Sequence, residues 1–441
     1  MTTLASRLGA LAARKRVAIV GGGYAGMAAA TELSAAGLPV VVFETARVLG
    51  GRARRVDVAG IPLDNGLHIL LGAYRETLRL INLVKRQGEP GGLLSTPLEL
   101  SIHPAFHLKS IQLPAPLHLA WALLSARGLA WRDRAQAALF MTSMRMRRFI
   151  LDEDCSVSDL MAANHQPDSV RRYLWHPLCV AALNTLPEQA SAQVFLNVLR
   201  DSLHGRRRDS DLLLPTMDFS ALFPERAARF VHSRGGKVRL GATVDALRIE
   251  PDGFALEPDA GRFSDVILAV PAHRLGALLA PHPRLAHIQA KVDALEHRPI
   301  YSVYLQYPET TRLPFNWGGL EAEYSQWVFD RGQLTGQAGL IGVVISSNGA
   351  HQELDQDDLA QRVHTELRTH FGVPDTLLWH RVIAEKRATF ACTPGLRRPE
   401  SGTPIAGLYL AGDFIQSDYP ATLEAAVRSG VQAANLVMQR D

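Results

Sequence analysis

Residues 16–26 read Arg-Val-Ala-Ile-Val-Gly-Gly-Gly-Tyr-Ala-Gly, and this stretch decides the fold. Its apolar part, Val17 to Val20, is short and rich in β-branched residues, as is typical of a strand buried on both faces. Glycines follow at once with the spacing G-x-G-x-x-G, at Gly21, Gly23 and Gly26. The first permits a tight turn, the second lets a ligand approach the backbone, and the third lets the next helix pack on the strand.

The residues after this turn complete a βαβ pattern. An alanine-rich helix is predicted from about Tyr24 to Ala36, so that the first amides, including that of Ala25, are free to bind a phosphate. A second strand, Pro39 to Phe43, delivers Glu44 eighteen residues after Gly26. A carboxylate at that position accepts hydrogen bonds from an adenosine ribose. The combination predicts a dinucleotide site rather than a purely structural glycine turn.

Two further motifs follow within the first 70 residues. In Val48-Leu-Gly-Gly-Arg-Ala, a glycine pair ending at Gly51 brings the backbone close to a ligand, and Arg52 offers a cation to a phosphate; the alternative is a surface loop. The sequence Asp-Asn-Gly-Leu-His, from Asp64 to His68, predicts a turn. His68 is then either a structural histidine or a group that faces the reactive ring of a cofactor.

The last part of the chain predicts a second half of the same site. The apolar run after Gly407 ends in Gly412-Asp413, and a helix is predicted to start just after Pro420. An acid at a strand end beside a helix N-terminus forms a polar clamp for a ligand. Upstream, a strand predicted over residues 242–249 carries Val244 near its start, where backbone contacts with adenine are expected.

The intervening chain is more apolar and more helical. Residues 110–126 contain no Asp, Glu, Lys or Arg, and a helix predicted from about Leu129 to Arg148 ends in the cluster Arg145, Arg147 and Arg148. Such helices are either the ordinary core of a substrate domain or a surface that contacts an anionic membrane. The sequence alone leaves both interpretations open.

Bulk properties narrow the class of protein. The chain has 441 residues, a formal net charge of +4 and three cysteines without C-x-x-C spacing, so it predicts a large core with neither a disulfide framework nor a metal site. Nucleic-acid binding is a poor fit, because the arginine clusters lack an accompanying binding motif. The cluster Arg14-Lys15-Arg16 follows the N-terminal apolar segment, opposite to the polarity of a signal peptide, and favours a cytoplasmic protein.

Together, the glycine turn, Leu49-Gly-Gly-Arg52 and Tyr409-Leu-Ala-Gly-Asp-Phe414 resemble the FAD-dependent amine oxidase and phytoene desaturase superfamily. Within it, the motifs starting at Asp64, Pro177, Ser210 and Glu385 resemble the hydroxysqualene dehydroxylase family. That family usually reads D-N-G-Q-H, whereas here Leu67 replaces the glutamine, which puts a side-chain amide role at this position in doubt.

The resemblance implies an α/β fold, with a discontinuous Rossmann-type FAD-binding domain and an inserted α+β substrate domain. The FAD-binding domain is predicted at residues 1–85, 226–271 and 391–441. The substrate domain is predicted at 86–225 and 272–390, with a mainly helical part at 110–205 that is the candidate membrane-facing region.

The resemblance further implies where FAD binds. It implies pyrophosphate at Gly21 to Gly26, ribose at Glu44, phosphate near Arg52, adenine near Val244, and ribityl chain or pyrophosphate near Asp413. The backbone of Gly66, Leu67 and His68, and that near Leu423, is implied to lie close to the flavin ring.

The implied reaction replaces an allylic hydroxyl of a C30 isoprenoid by hydrogen, with His68 as the first candidate for the acid. An external electron donor is expected, because no second nucleotide motif is visible, and a peripheral position on the inner face of a membrane is compatible with the sequence. The alternatives are a carotenoid-type desaturase, a flavin amine oxidase and, from another class, a non-catalytic prenyl-binding protein of the same fold.

Overall fold

The computed structural model describes residues 15–258 and 261–440; the N-terminal apolar segment, up to residue 14, lies outside them. The glycine turn belongs to a five-stranded parallel sheet, here called the nucleotide sheet. In spatial order its strands are Lys237–Leu240, Val40–Glu44, Val17–Val20, Asp265–Leu268 and Leu408–Leu410. The strand Val17–Val20 is fully buried at its centre, as its β-branched sequence predicts. Early, middle and late parts of the chain therefore meet in one sheet.

Two long helices cover the nucleotide sheet at the glycine turn. The first, Tyr24–Ala35, matches the predicted helix, and Gly37 follows it with a φ of 79°. The second, Leu423–Gln439, crosses it so closely that a Cβ at Gly430 would lie 2.1 Å from the carbonyl oxygen of Ala25. The last helix of the chain is thereby held against the helix that opens at the glycine turn.

A second, seven-stranded sheet forms the other large layer and is here called the mixed sheet. In spatial order its strands are Trp379–Phe390, His297–Gln306, Leu340–Ser346, Trp327–Asp330, Trp317–Leu320, Glu99–His103 and Phe106–Lys109. All neighbouring pairs are antiparallel except Trp317–Leu320 with Glu99–His103. One face packs against helix Gln356–Phe371 through a core of branched aliphatic residues.

Three small sheets connect these layers. They consist of Arg55–Val58 with Ile61–Asp64; of Leu70–Leu71, Leu212–Pro215 and Leu93–Thr96; and of Ala246–Glu250, Gly253–Glu257 and Arg262–Phe263. The strand predicted over residues 242–249 begins only at Ala246, because the amide of Ala242 bonds instead to the carbonyl of Glu44, at 2.9 Å. Val244 consequently lies in irregular chain before that strand, and its predicted place at a strand start was wrong.

The remaining chain is helical. The other helices and helical turns are Gly51–Ala53, Arg75–Val84, Leu117–Ser125, Trp131–Met146, Val157–Ala163, Asp168–Val170, Arg171–Trp175, His176–Leu183, Ala192–Leu199, Arg200–His204, Arg207–Ser210, Phe219–Leu222, Pro224–Ser233, Ala272–Leu279, Pro283–Leu285, Ala286–Asp293, Arg331–Thr335 and Ala350–Glu353. Among the described residues, none of these helices has both the length and the apolar character needed to cross a membrane.

Candidate cofactor and substrate site

The glycine turn forms an open cradle at the end of the first strand. Gly21 has a φ of 113°, and a Cβ there would lie 2.4 Å from the carbonyl oxygen of Ala269. A Cβ at Gly26 would lie 1.9 Å from the carbonyl oxygen of Gly21. Gly23 caps the helix without a side chain, so no side chain of the cap covers the first amides, those of Tyr24 and Ala25. These amides are available for an anion.

The backbone of the second glycine motif, at Gly50 and Gly51, closes the other side of the cradle. Gly23 and Gly50 form an isolated parallel bridge, and Gly51 follows with a φ of 62°. A Cβ at Gly51 would lie 3.2 Å from the Cα atom of Gly23. Both predicted glycine motifs therefore meet. Neither has a side chain at the contact, so a cofactor can approach the protein backbone there.

Glu44 lies beside this cradle at the end of the second strand. Its Oε2 atom accepts the amide hydrogen of Gly22 at 2.6 Å, and its Oε1 atom accepts that of Ala46 at 2.7 Å. Each carboxylate oxygen has a further lone pair. The carboxylate is thus held in place by the backbone while keeping acceptor capacity for ribose hydroxyls.

Arg52 and Asp413 join the two ends of the chain. The Nη2 atom of Arg52 lies 2.5 Å from Oδ1 of Asp413, and its Nη1 atom donates to the carbonyl of Ala388 at 2.6 Å. Burial alone would lower the pKa of Arg52, but the Asp413 carboxylate raises it above its ordinary value, so the guanidinium stays charged. Gly412, with a φ of 156°, donates its amide hydrogen to Ser429. Arg52 and Asp413, which belong to two separate predicted motifs, are therefore joined by an ion pair.

The loop at residues 65–68 is predicted to lie close to a flavin ring and is here called the flavin loop. It leaves the cradle next to Arg52. The side-chain Nδ2 atom of Asn65 donates to the carbonyl of Arg52 at 3.0 Å. His68 Nδ1 donates to the carbonyl of Gly66 at 2.7 Å, and its ring packs edge-on against Phe219 with centroids 5.0 Å apart. Burial lowers the pKa of His68, which leaves a neutral imidazole with Nε2 as an acceptor.

Asp64 anchors the flavin loop and was not singled out from the sequence. It is fully buried; Oδ1 accepts the amide hydrogen of Phe219 at 3.0 Å, and Oδ2 lies 3.3 Å from Nη2 of Arg331. The hydroxyl of Tyr304 donates to its backbone carbonyl at 2.8 Å. Burial raises the pKa of Asp64 to about 6, although Arg331 and the Phe219 amide oppose the shift. Its sequence signal was its place as the first residue of the predicted turn and of the motif that starts there.

The last helix begins at Leu423, three residues after Pro420, rather than directly after the proline as predicted. Thr422 sets this start, because its hydroxyl accepts the amide hydrogen of Ala425 at 3.2 Å. Glu424, which is fully buried, accepts hydrogen bonds from the amide and hydroxyl of Thr77 at 2.9 and 2.7 Å. The helix N-terminus at Leu423 is therefore fixed to the chain that follows the flavin loop.

Leu67 points away from the polar cradle and toward the mixed sheet. A Cβ at Gly342 would lie 2.6 Å from its Cδ1 atom. The surrounding apolar cluster, here called the apolar wall, consists of Leu67, Ile69, Leu214, Ile300, Trp317, Trp327, Phe329, Leu334 and Val344. Where an amide is usual, this chain has an aliphatic contact between the flavin loop and the wall.

The residues of the cradle are suited to bind the polar half of an FAD molecule, its ribose and pyrophosphate. The cradle glycines, Glu44, Arg52 and Asp413 gather at the carboxyl ends of parallel strands, where doubly wound folds bind nucleotides. Val244 follows the strand Lys237–Leu240, the neighbour of the strand that ends in Glu44, and its contact with adenine stays a prediction. The roles of Gly66, Leu67, His68 and Leu423 toward the flavin ring likewise stay predictions.

Fold and site together define an FAD-dependent oxidoreductase. Residues 24–438 match the family described as "Flavin containing amine oxidoreductase", and the chain belongs to that family. The expected FAD cofactor and amine-oxidase-like α/β fold are thereby confirmed.

Individual relatives narrow the resemblance. The chain is 26% identical to a hydroxysqualene dehydroxylase from Zymomonas mobilis, over 95% of this chain and 98% of that protein. It is 25% identical to a 15-cis-phytoene desaturase from Glycine max, over 96% of this chain and 79% of the desaturase. Among solved structures, an oxidoreductase from Methanosarcina mazei superimposes with a TM-score of 0.71 at 16% identity, covering 95% of this chain and all (100%) of the other. This last likeness supports the fold alone.

Proposed function

We propose that the protein removes the hydroxyl group of hydroxysqualene reductively and so forms squalene. The observation that carries the proposal is the similarity to three hydroxysqualene dehydroxylases, at 26–27% identity over 95–96% of this chain and 98% of each relative, against 25% identity to the phytoene desaturase of Glycine max. The apolar wall beside the flavin loop supports a hydrocarbon substrate. A reduced flavin, when bound, supplies the hydride for such a reaction.

The decisive experiment uses the flavin-loaded protein under anaerobic conditions. After photoreduction it is incubated with hydroxysqualene, and the lipids are separated by chromatography. We expect squalene in an amount matching the reduced flavin. Absence of squalene, with phytoene dehydrogenated by the oxidised protein instead, would favour the desaturase alternative.

The two remaining alternatives have less support. An amine oxidase must accommodate a polar nitrogen, whereas Leu67 adds an aliphatic side chain to the apolar wall. A non-catalytic prenyl-binding protein has no need of a complete cofactor cradle, yet the glycine turn, Glu44 and the Arg52–Asp413 pair are all in place. The prenyl-binding alternative thus leaves the cofactor cradle without a role, and the amine oxidase alternative does not account for the aliphatic contact of Leu67.

His68 is the proposed source of the proton that leaves with the hydroxyl group as water. Because the pKa of His68 is lowered, its imidazolium form predominates only at pH values below 6.5, the ordinary pKa of a histidine side chain. Because the acid form is lost as pH rises, we expect turnover to decline as pH increases through that lowered pKa. Steady-state rates between pH 5 and 8 would measure this decline, where pH 5 to 8 is about the range in which histidines titrate.

The matched variants are His68→Gln and His364→Gln, since His68 is half-buried, His364 is buried, and burial lowers the pKa of both. His68→Gln should reduce the rate about 10²- to 10⁴-fold and abolish the decline of turnover with rising pH, as expected for loss of a general acid. His364→Gln, which replaces the partner of Tyr307, should keep that decline. A pH profile unaltered by His68→Gln would rule out this role.

The proposed setting is the cytoplasmic face of an anionic membrane, with an external donor reducing the flavin. Helices Leu117–Ser125 and Trp131–Met146 support this setting, because each turns large apolar side chains toward solvent. Those on the two helices and just after them are Leu117 (56% exposed), Trp121 (48%), Leu124 (70%), Trp131 (71%), Leu139 (62%), Met146 (77%) and Ile150 (61%). We call this set the exposed apolar surface.

Charge around the exposed apolar surface favours anionic lipid. Between residues 104 and 150, Asp133 is the only acidic residue, whereas the basic residues are Lys109, Arg127, Arg132, Arg134, Arg145, Arg147 and Arg148. Arg134 ties the two helices together by donating to the carbonyls of Leu124 and Leu129. Helices with exposed tryptophan and leucine beside arginine are typical of proteins that lie in the membrane interface.

Vesicle binding tests this surface. We expect the flavin-loaded protein to sediment with vesicles containing phosphatidylglycerol, and the variant L124S/W131S to bind about tenfold more weakly or worse, since each apolar side chain contributes roughly 1.5 kcal/mol or more on burial. Leu378→Ser, at a 57% exposed leucine outside the surface, is the control. Equal binding of all three proteins would contradict the proposal, and dimerisation through this surface would show in light scattering.

A further inference from the structure

One face of the mixed sheet carries an aromatic pair next to the flavin loop. Trp317 and Trp327 lie on neighbouring antiparallel strands with ring centroids 5.6 Å apart, and Phe329 lies 6.4 Å from Trp317. Both indoles are half-buried, whereas Phe329 is buried. The alternation of strand residues places all three rings on the same face.

The same face contrasts with the opposite one in side-chain volume. Gly342 pairs with Phe329, Gly319 pairs with Trp327, and Ser302 pairs with Val344. The opposite face instead carries Val303, Val343 and Ile345 in a core against helix Gln356–Phe371. The two glycines are covered by protein side chains, since a Cβ at Gly319 would lie 2.5 Å from Cδ1 of Ile102 and one at Gly342 would lie 2.6 Å from Cδ1 of Leu67. The half-buried indoles are therefore the part of this face that a ligand can contact, as aromatic side chains commonly do in binding sites.

A buried hydroxyl on this face has no protein partner. Ser302 is fully buried, and its Oγ atom makes no hydrogen bond to any of the residues that the structure describes. Leu67, from the flavin loop, reaches this face at Gly342. The two indoles and the loop that is predicted to meet the flavin therefore border one site.

We propose that the Trp317–Trp327 pair stabilises the allylic cation of the substrate through the faces of its indole rings. The inference rests on the proposed function and deepens it. The carbon–oxygen bond breaks with both electrons going to oxygen, which takes a proton and leaves as water. The allylic carbon then carries a positive charge until a hydride adds to it and forms a carbon–hydrogen bond. Indole is the side chain that attracts a cation most strongly through its ring face, and desolvation strengthens the attraction.

The test measures binding rather than turnover. The holoenzyme with oxidised flavin is titrated with a C30 isoprenoid analogue that carries a tertiary ammonium at the reacting position, and with its uncharged carbon isostere. Flavin absorbance reports both titrations. We expect the ammonium analogue to bind about tenfold more tightly than the isostere, in line with about 1 to 2 kcal/mol for a desolvated cation–π contact.

Variants assign the preference to the indoles. W317L/W327L should abolish the tenfold ratio while still binding the isostere, and the corresponding double phenylalanine variant should retain part of it. W379L, at a tryptophan elsewhere in the mixed sheet, should leave the ratio unchanged. Glu385 lies on the same face opposite Ile300, so E385Q tests whether a carboxylate attracts the ammonium instead.

The measured binding ratios decide whether the indoles bind the cation. A ratio kept in W317L/W327L, or lost in E385Q alone, overturns the assignment to the indoles. Equal binding of both analogues by the natural protein overturns the cation contact but leaves the hydrocarbon substrate standing. Failure to bind either analogue removes the proposed function, and this inference with it. Circular dichroism and flavin content check that every variant is folded.

Discussion

Replacing Glu44 by alanine is expected to leave the purified protein largely without flavin. The carboxylate is the only side chain that binds the amides of both Gly22 and Ala46 among the described contacts, and it borders the glycine turn. The substitution removes these two charge-assisted hydrogen bonds and the predicted contacts with the ribose. Hydrogen bonds to charged groups contribute about 1.5 to 3 kcal/mol each, so flavin affinity should fall at least about tenfold. Flavin absorbance relative to protein after gel filtration measures the loss.

Two matched variants separate the ribose site from general damage. Glu44→Gln keeps one acceptor oxygen and should retain more flavin than the alanine variant. Glu32→Ala removes a carboxylate from the adjoining helix Tyr24–Ala35, where it pairs with the half-exposed Arg79, and should retain flavin normally. Unchanged occupancy in Glu44→Ala would refute the ribose assignment.

The cofactor cradle was predictable because its signals are local. Glycine spacing and a β-branched strand determine the backbone of residues 17–26, whatever the rest of the chain does. The observed helix Tyr24–Ala35 ends one residue before the predicted limit. The motifs of Arg52 and Asp413 were predicted to belong to one site, but the ion pair between these residues, which are 361 positions apart, was not predicted.

Contacts between residues that are distant in the sequence were not predictable. Asp64 pairs with Arg331, and Glu424 accepts a hydrogen bond from Thr77, only after distant strands and helices have packed. The sequence separation of neither pair is a recognisable motif. The buried ion pair of Asp64 with Arg331 is costly to break by removing one partner, because the remaining charge stays buried.

The contacts of the apolar wall were likewise not predictable from the sequence, although its strands were recognisable. Apolar runs in the sequence mark the strands Trp327–Asp330 and Leu340–Ser346 of this wall. Which face meets the flavin loop depends on the strand register, and a shift of one residue would exchange Trp327 for Val328. The predicted domain limits, which depend on such packing, remain predictions.

The glycine turn allows the strongest test of cofactor site against fold, because two of its glycines differ in what surrounds them. Gly26→Ala should lower both thermal stability and flavin content, since the new Cβ would lie 1.9 Å from the backbone oxygen of Gly21. Overpacking typically costs about 1 to 3 kcal/mol, and a clash with rigid backbone belongs at or beyond the upper end. Differential scanning calorimetry and flavin absorbance would record both losses.

Gly23→Ala should instead separate the two effects. A Cβ there would have its nearest contact with the Cα atom of Gly51, at 3.7 Å, and the helix-cap φ of −74° suits any residue. The flavin-free variant should therefore melt like the flavin-free natural protein. The added methyl group nevertheless occupies the gap where a pyrophosphate approaches the backbone, so flavin binding should fall at least about tenfold. A variant that retained full flavin would mean that the cofactor does not approach this glycine, and the cradle would have to be placed elsewhere along the turn.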